Sequence, residues 1–250
     1  MIEVENLTKI YGDKTVVNHT TWTARDGEVT GFIGPNGSGK TTSLKMITGI
    51  LTPDEGRVLL DGVDIAKEPL KAKKSYGYVS DSPDRFLRLT GLEYLNFMAD
   101  IYEMPTPGRK EFINQYAERF DIQSALGSTI LSYSHGMRQK IQVMGALIHD
   151  PAIWLLDEPM TGLDPQSAYE LKQMMREHAE KGHSVLFSTH VLEVAEKLCD
   201  RVVIIQRGNQ KFQGSLEELR GQYPNESTLE DIFMKIVGKR SADDEAAQAR

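Results

Sequence analysis

The sequence predicts an α/β fold with a mainly parallel sheet, an N-terminal antiparallel β part and an inserted helical subdomain. Three observations predict it. The first third of the 250 residues contains short apolar or alternating stretches that are typical of strands. The segment that follows carries apolar residues at helical spacing. The last third alternates continuous apolar runs with helix-like stretches, which is typical of a parallel sheet covered by helices.

The strand-like stretches of the first third are short and bounded by turn residues. The stretch "IEVENL" at residues 2–7 alternates apolar and polar side chains, as a half-buried strand does. The runs "EVTGFIG" at 28–34 and "GRVLLDG" at 56–62 are apolar and flanked by glycine and acidic residues. These features predict strands that open the chain.

The helical subdomain is predicted at about residues 82–150. The stretches "GLEYLNFMADIYEM" at 91–104 and "RKEFINQYAERF" at 109–120 have apolar residues at helical spacing, and "PTPG" separates them. We therefore expect two helices with a break at the prolines. The main domain is predicted to span residues 1–215 around this insert, and residues 216–250 are predicted to form a C-terminal helix and a polar tail.

Strands and helices alternate in the last third. Asp164 and Pro165 are residues that favour the start of a helix, and Lys181 with Gly182 marks its end. Ser227 and Glu230 have the spacing of a capping box for a final helix. The predicted strands here are "AIWLL", "SVLFST" and "RVVIIQ".

Composition excludes several classes of protein. The net charge of -7 argues against nonspecific binding to nucleic acid, which needs a basic surface. Cys199 is the single cysteine, so an intrachain disulfide is impossible. The N-terminus lacks the basic-then-apolar pattern of a signal peptide, and apolar runs long enough to span a membrane are absent. If the protein acts at a membrane, we expect another polypeptide to bring it there.

The strongest motif is "GPNGSGKTT" at residues 34–42, which matches the P-loop pattern G-x-x-x-x-G-K-[ST] in full. This P-loop lies between a predicted strand and a predicted helix. Its glycines let backbone N–H groups converge on phosphate oxygens, and the helix N-terminus favours an anion. Lys40 is predicted to reach the β- and γ-phosphates, and the Thr41 hydroxyl to ligate Mg²⁺. The predicted phosphate-binding residues are Gly34, Pro35, Asn36, Gly37, Ser38, Gly39, Lys40, Thr41 and Thr42.

Two acidic residues follow the buried run "AIWLL". Asp157 is predicted to supply a second ligand to Mg²⁺, because a carboxylate at a strand end beside a P-loop lies where that ion binds. Glu158 is predicted to orient an attacking water or to accept its proton. His190 follows another predicted strand, so we expect its imidazole at the same sheet edge, within hydrogen-bonding reach of a γ-phosphate.

The order of the motifs resembles that of an ATP-binding cassette (ABC) ATPase, the nucleotide-binding subunit of an ABC transporter. That order is Tyr11, "GPNGSGKTT", "LSYSHGMRQK", "WLLDEPMTGLDP" and "STH". The resemblance implies that Tyr11 stacks on adenine and that Val16 or Val17 adds apolar contact. It also implies that the stretch "LSYSHGMRQK", residues 131–140, is the family's signature turn. Ser134 and Gly136 in this signature turn are expected to bind the ATP of a second subunit.

The sequence departs from the family pattern at two places. Tyr133, His135 and Met137 replace the usual residues of the signature turn. Asp81 stands where the family often has a glutamine that contacts Mg²⁺ or water. Because aspartate can ligate Mg²⁺ but adds a negative charge near the γ-phosphate, we expect a stronger dependence on Mg²⁺.

The resemblance implies an enzyme that binds ATP and Mg²⁺ and hydrolyses ATP as a head-to-tail dimer of two copies. The implied partner is an integral-membrane permease on a separate chain, which would hold the protein at the cytoplasmic face of the membrane. The stretches "YSHGMRQ" and "LEDIF", with Asp81, resemble the branch that exports drugs, peptides or lipids. The alternatives are an importer ATPase and a soluble ABC ATPase acting on a cytosolic assembly. The sequence names no cargo.

Overall fold

The computed structural model describes residues 1–238, so the end of the predicted polar tail, residues 239–250, lies outside the described residues. The strands of the described residues include all six stretches that the sequence predicts as strands. In chain order they are β1 (Ile2–Tyr11), β2 (Lys14–Ala24), β3 (Val29–Ile33), β4 (Glu55–Leu60), β5 (Val63–Asp64), β6 (Tyr76–Val79), β7 (Ile153–Asp157), β8 (Ser184–Thr189), β9 (Arg201–Gln206) and β10 (Asn209–Ser215).

The strands form two sheets. The larger sheet has six strands in the order β10-β9-β3-β8-β7-β6. Neighbouring strands in it are parallel except for the pair β9 and β10, which is an antiparallel hairpin. The smaller sheet has the order β2-β1-β4-β5 and is antiparallel. The predicted parallel sheet and N-terminal antiparallel part are both present.

The helices are α1 (Lys40–Ile47), α2 (Pro69–Lys74), α3 (Gly91–Ile101), α4 (Thr106–Arg119), α5 (His135–Leu147), α6 (Pro165–Glu180), α7 (Leu192–Leu198), α8 (Leu216–Gln222) and α9 (Leu229–Gly238). Helices α1, α5, α6 and α7 pack against the larger sheet. Helices α3, α4 and α5 lie between β6 and β7 in the chain and form the predicted helical insert. Within residues 1–238, no helix combines the length and apolar content needed to cross a membrane. The exact domain boundaries stay predictions.

Two local predictions were wrong by a few residues. The stretch "PTPG" does not separate the helices of the insert, because α4 already begins at Thr106. Proline is tolerated in a first turn, where its missing N–H would have no partner within the helix. At the start of α9, Thr228 rather than Ser227 caps the helix: its hydroxyl accepts from the Asp231 N–H at 3.1 Å.

The core explains why the strands of the larger sheet are apolar throughout. In β7, Trp154 and Leu156 pack into one hydrophobic layer, and Ile153 and Leu155 pack into the layer on the other face. A strand buried on both faces reads as a continuous apolar run rather than an alternating one. This burial fixes the strands in register and therefore fixes the loops that follow them.

Candidate nucleotide-binding site

The carboxyl ends of three adjacent parallel strands bring the predicted site residues together. In the sheet, Ile33 of β3 pairs with Thr189 of β8, and Asp157 of β7 pairs with Ser188 of β8. The P-loop follows β3, the acid pair ends β7, and His190 follows β8. The sequence prediction that these motifs meet at one sheet edge is consistent with this register.

The P-loop needs glycine where other chain segments approach it closely. A Cβ on Gly34 would lie 2.3 Å from the carbonyl oxygen of Ile205. Gly39 has a φ of 107°, and a Cβ there would lie 2.7 Å from the carbonyl oxygen of Val16. Gly39 leads into α1 and no side chain caps that helix. The first N–H groups of α1 therefore remain available to an anion.

A cavity of about 290 Å³ opens beside this loop. Its lining includes the apolar Val16 and the acidic Asp81 and Glu158. Its remaining lining residues belong to the P-loop: Asn36, Gly37, Gly39, Lys40, Thr41 and Thr42. Tyr11 is not among them. It lies at the end of β1, pairs with Lys14 and is 50% exposed.

Lys40 and Glu158, which line the cavity, form a chain of polar contacts with His190. The Lys40 ammonium donates to the carbonyl of Gly34 at 2.7 Å and lies 3.5 Å from Glu158 Oε1. The other carboxylate oxygen of Glu158 lies 3.0 Å from Nδ1 of His190. One carboxylate thus joins the P-loop cation to the histidine of the next strand.

Asp157 lies behind these groups and is fully buried. Burial raises its pKa, and the hydroxyls of Ser188 and Thr41 oppose that rise. The Ser188 hydroxyl donates to Asp157 Oδ1 at 2.5 Å, whereas Oδ2 makes no hydrogen bond of ordinary geometry. A buried carboxylate oxygen beside a threonine hydroxyl is a donor set that fits Mg²⁺, which prefers oxygen ligands.

Ser188 is a site residue that the sequence reasoning missed. Its hydroxyl donates to Asp157, and it also accepts from the backbone N–H of Glu158 at 2.9 Å. It therefore fixes both acids of the pair, including Glu158, whose φ of 48° is unusual for a side-chain-bearing residue. The available signal was a polar residue at the end of an apolar strand, opposite an acid in the neighbouring strand.

The signature turn lies outside this cavity. Ser134 caps α5, and its hydroxyl accepts from the Met137 N–H at 3.2 Å. Gly136 contacts the loop after the acid pair: a Cβ on Gly136 would lie 2.7 Å from the carbonyl oxygen of Gly162. The ring of His135 packs against Gly162 as well, since a Cβ on that glycine would meet it. The predicted ATP-binding residues therefore fall into two separate groups.

Comparison with known proteins decides the family. A family model described as ABC transporter matches residues 17–161, which is more than half of the chain. This chain belongs to the ABC transporter family. The matched segment of the ABC ATPase includes the P-loop, the signature turn and the acid pair, while Tyr11 and His190 lie outside it.

Relatives of this ABC ATPase include proteins of similar length. The ABC-type transporter ATP-binding protein EcsA of Bacillus subtilis is 31% identical over 238 residues, which are 95% of this chain and 96% of EcsA. The probable multidrug ABC transporter ATP-binding protein YbhF of Escherichia coli is 31% identical over 241 residues, which are 95% of this chain and 42% of YbhF.

Solved structures share the fold of this ABC ATPase. An ATP-binding subunit of an ABC transporter superposes with a TM-score of 0.90 at 30% identity, covering 94% of this chain and 99% of that one. A dimeric bacterial ABC transporter cassette gives a TM-score of 0.79 at 25% identity, covering 86% of this chain and 99% of that one. Cassettes of this family dimerise and work with membrane components.

Proposed function

We propose that this ABC ATPase binds Mg-ATP, hydrolyses it as a dimer of two copies and powers export through a separate permease. The observation that carries the proposal is the chain of polar contacts from Lys40 through Glu158 to His190. Lys40 and Glu158 line the cavity beside the P-loop, and buried Asp157 precedes Glu158. These groups have the chemistry to hold a triphosphate and to activate water against it.

ATP binding is assigned to the P-loop side of the cavity. The N–H groups at the start of α1 and the Lys40 ammonium bind the phosphates. The Thr41 hydroxyl, Asp157 and Asp81 would hold Mg²⁺, which would supply positive charge to the phosphates. Tyr11, at the exposed end of β1, is assigned to stack on the adenine, and Val16, which lines the cavity, to add an apolar contact.

Hydrolysis is assigned to Glu158 and His190. Glu158 accepts the proton of the water that attacks the γ-phosphorus, while the bond to the bridging oxygen of ADP breaks. The hydrogen bond between His190 and Glu158 orients that carboxylate, and binding of the γ-phosphate gives the imidazole a second partner. Ser188 holds the acid pair in place through both of its hydrogen bonds.

A second copy is needed because the cavity carries only one of the two groups of predicted ATP contacts. Ser134 and Gly136 lie away from it, at an exposed helix start whose first N–H groups favour phosphate oxygens. Head-to-tail pairing places this turn over the ATP of the other copy. ATP then links the two subunits, and loss of the γ-phosphate releases them.

Export is supported by sequence features and by the names of relatives. The stretch "YSHGMRQ", the acid at position 81 and the stretch "LEDIF" resemble the exporter branch of the family. The relative YbhF is named a probable multidrug transporter ATP-binding protein. This assignment requires an integral-membrane permease on a separate chain, which would hold the ATPase at the cytoplasmic face of the membrane.

The variant Glu158→Gln tests the proposal. Without a base, ATP should bind but not turn over, so the variant should accumulate as an ATP-dependent dimer measured by light scattering. A tagged form should also retain a membrane protein from detergent-solubilised membranes, and transport of its substrates would give the direction. Glu180→Gln, a change on the exposed end of α6, is the matched control and should behave like the wild type.

Each outcome bears on one part of the proposal. Wild-type hydrolysis by Glu158→Gln would remove Glu158 as the base. Recovery of soluble partners alone would favour the ATPase acting on a cytosolic assembly. A permease that imports its substrate would reverse the proposed direction and leave the ATPase assignment intact.

A further inference from the structure

Two histidines and an aspartate lie close together at the amino ends of the strands of the larger sheet. The P-loop lies at the opposite, carboxyl ends. Asp150 lies just before β7, His178 is in the last turn of α6, and His183 lies just before β8. One ligand atom from each of the three lies within 4.8 Å of the others. The proposed ATP site is at the carboxyl ends of the strands, whereas these residues meet at the amino ends.

The two imidazoles have buried nitrogen atoms without hydrogen-bond partners. His178 is 5% exposed, and its Nε2 is unpartnered. Nδ1 of His183 is buried and unpartnered as well, and the two rings lie 4.5 Å apart between centroids at an angle of 61°. An unpaired buried polar atom costs free energy, so a ligand that uses both nitrogens would offset that cost.

The hydrogen bonding of His178 suits a metal ligand. One nitrogen of its ring has a hydrogen bond with the backbone of Pro151, whereas Nε2 is unpartnered. A backbone hydrogen bond to one ring nitrogen leaves the other with a free lone pair, which is the arrangement that metal-binding histidines show.

We propose that Asp150, His178 and His183 form a binding site for a divalent transition-metal ion of the zinc class. Two imidazoles and one carboxylate are a ligand set that such ions accept, with water completing the coordination. Mg²⁺ and Ca²⁺ are disfavoured because they prefer oxygen ligands. The site is separate from the Mg²⁺ ligands proposed for ATP.

The ligand atoms of the three side chains lie near the spacing that a bound ion requires. Bonds of about 2.1 Å bring tetrahedral ligand atoms to about 3.4 Å from one another. Asp150 is exposed and can turn toward the histidines. Its competing contact, to Lys181 at 3.8 Å, is an exposed ion pair of the kind that contributes little to stability. A bound ion would join the end of α6 to the starts of β7 and β8.

The experiment is a titration of the tag-free, chelator-treated protein with Zn²⁺ in excess Mg²⁺. Zn²⁺ binding is measured by calorimetry, and Co²⁺ absorption reports nitrogen ligands. The wild type should bind one Zn²⁺ that raises its melting temperature. Asp150→Asn and His183→Gln should each weaken this binding about tenfold or more. Asp121→Asn and His19→Gln, exposed matched controls, should bind as the wild type does.

Three results would overturn the site. They are no Zn²⁺ bound by the wild type, unchanged affinity in both Asp150→Asn and His183→Gln, or equal loss in the control variants. A variant at buried His178 is open to folding defects, so the proposal depends on the changes at Asp150 and His183. Since neither residue is in the proposed ATP site, ATP affinity should remain unchanged in both variants.

Discussion

Asp81 is the residue at which we expect this ATPase to differ in charge from the family pattern. It is exposed on the loop after β6 and lines the cavity together with Glu158. Its charge contributes to the raised pKa of Asp157, although burial is the larger cause. Three carboxylates therefore surround the place proposed for the phosphates, and a divalent cation is the partner that would balance them.

Asp81→Asn should reduce the dependence of ATP binding on Mg²⁺. In the wild type, ATP without Mg²⁺ meets an added negative charge, and ATP with Mg²⁺ gains an added oxygen ligand. The ratio of ATP affinities with and without Mg²⁺ should fall about tenfold in the variant, as expected for one charge a few ångströms away. Fluorescence titration with an ATP analogue measures both affinities.

The control for this prediction is Asp84→Asn, which makes the same charge change three residues along the chain. Asp84 accepts a hydrogen bond from the guanidinium of Arg138 and does not line the cavity. An unchanged ratio in Asp81→Asn, or an equal change in Asp84→Asn, would mean that Asp81 does not act on the metal.

Residues with a motif were predictable, and residues that act through tertiary contacts were not. The P-loop and the acid pair consist of residues that are consecutive in the sequence, so the sequence alone predicted them. The structure brings the two motifs together. The roles of Ser188 and of the packing between His135 and Gly162 depend on which strands and loops become neighbours. The polar end of β8 is visible in the sequence, but the sequence does not show that it pairs with the strand of Asp157.

At the scale of elements, α6 has a start that the sequence predicted correctly. Asp164 caps it by accepting from the Ser167 N–H at 2.9 Å, and Pro165 occupies the first turn. By contrast, the start of α4 was misplaced because prolines suit both a loop and a first helical turn. A helix start with a capping side chain can be predicted from the sequence. A helix start marked only by prolines cannot, because the packing of the whole insert decides whether they lie in a loop or in the first turn.

Asp164→Ala should destabilise the protein through loss of this cap. A lost N-cap costs about 1 kcal/mol, which corresponds to a fall of about 2–4 °C in melting temperature for a chain of this size. Asp164→Asn keeps a capping oxygen and should lose less. Thermal unfolding monitored by circular dichroism measures both. Equal melting temperatures of Asp164→Ala and the wild type at pH 7 would contradict the prediction.

The same variant should show a defined pH dependence. The hydroxyl and N–H of Ser167, followed by Lys140, lower the pKa of Asp164 below its ordinary value. A carboxylate with a lowered folded pKa stabilises the fold above its unfolded pKa of about 3.9, and that stabilisation is lost as pH falls toward the folded value. The difference between wild type and Asp164→Ala should therefore stay constant from pH 8 to about 5 and shrink below about 4.

At the scale of the whole molecule, the two groups of ATP contacts lie apart in one chain. The P-loop follows β3 in the larger sheet, while the signature turn begins α5 in the helical insert. If each site needs both groups, one copy supplies the P-loop and the other supplies the turn. The family resemblance predicted this division, and the lining of the cavity, which lacks Ser134 and Gly136, is consistent with it.

Mixing two inactive variants tests that division. Lys40→Ala removes the ammonium that binds phosphate, and Ser134→Arg places a bulky cation on the signature turn. Each should abolish hydrolysis alone. In a mixed dimer, the P-loop of Ser134→Arg faces the intact turn of Lys40→Ala, so one of the two sites is complete. Hydrolysis should therefore reappear on mixing.

The control is a mixture of Lys40→Ala with the double variant Lys40→Ala/Lys45→Ala. No complete site can form in that mixture, because both chains lack the Lys40 ammonium. If hydrolysis stays absent in the first mixture while light scattering shows mixed dimers, both groups must act within one copy or both sites must be intact for turnover. Recovery of ATP-dependent closure without hydrolysis would support the second explanation.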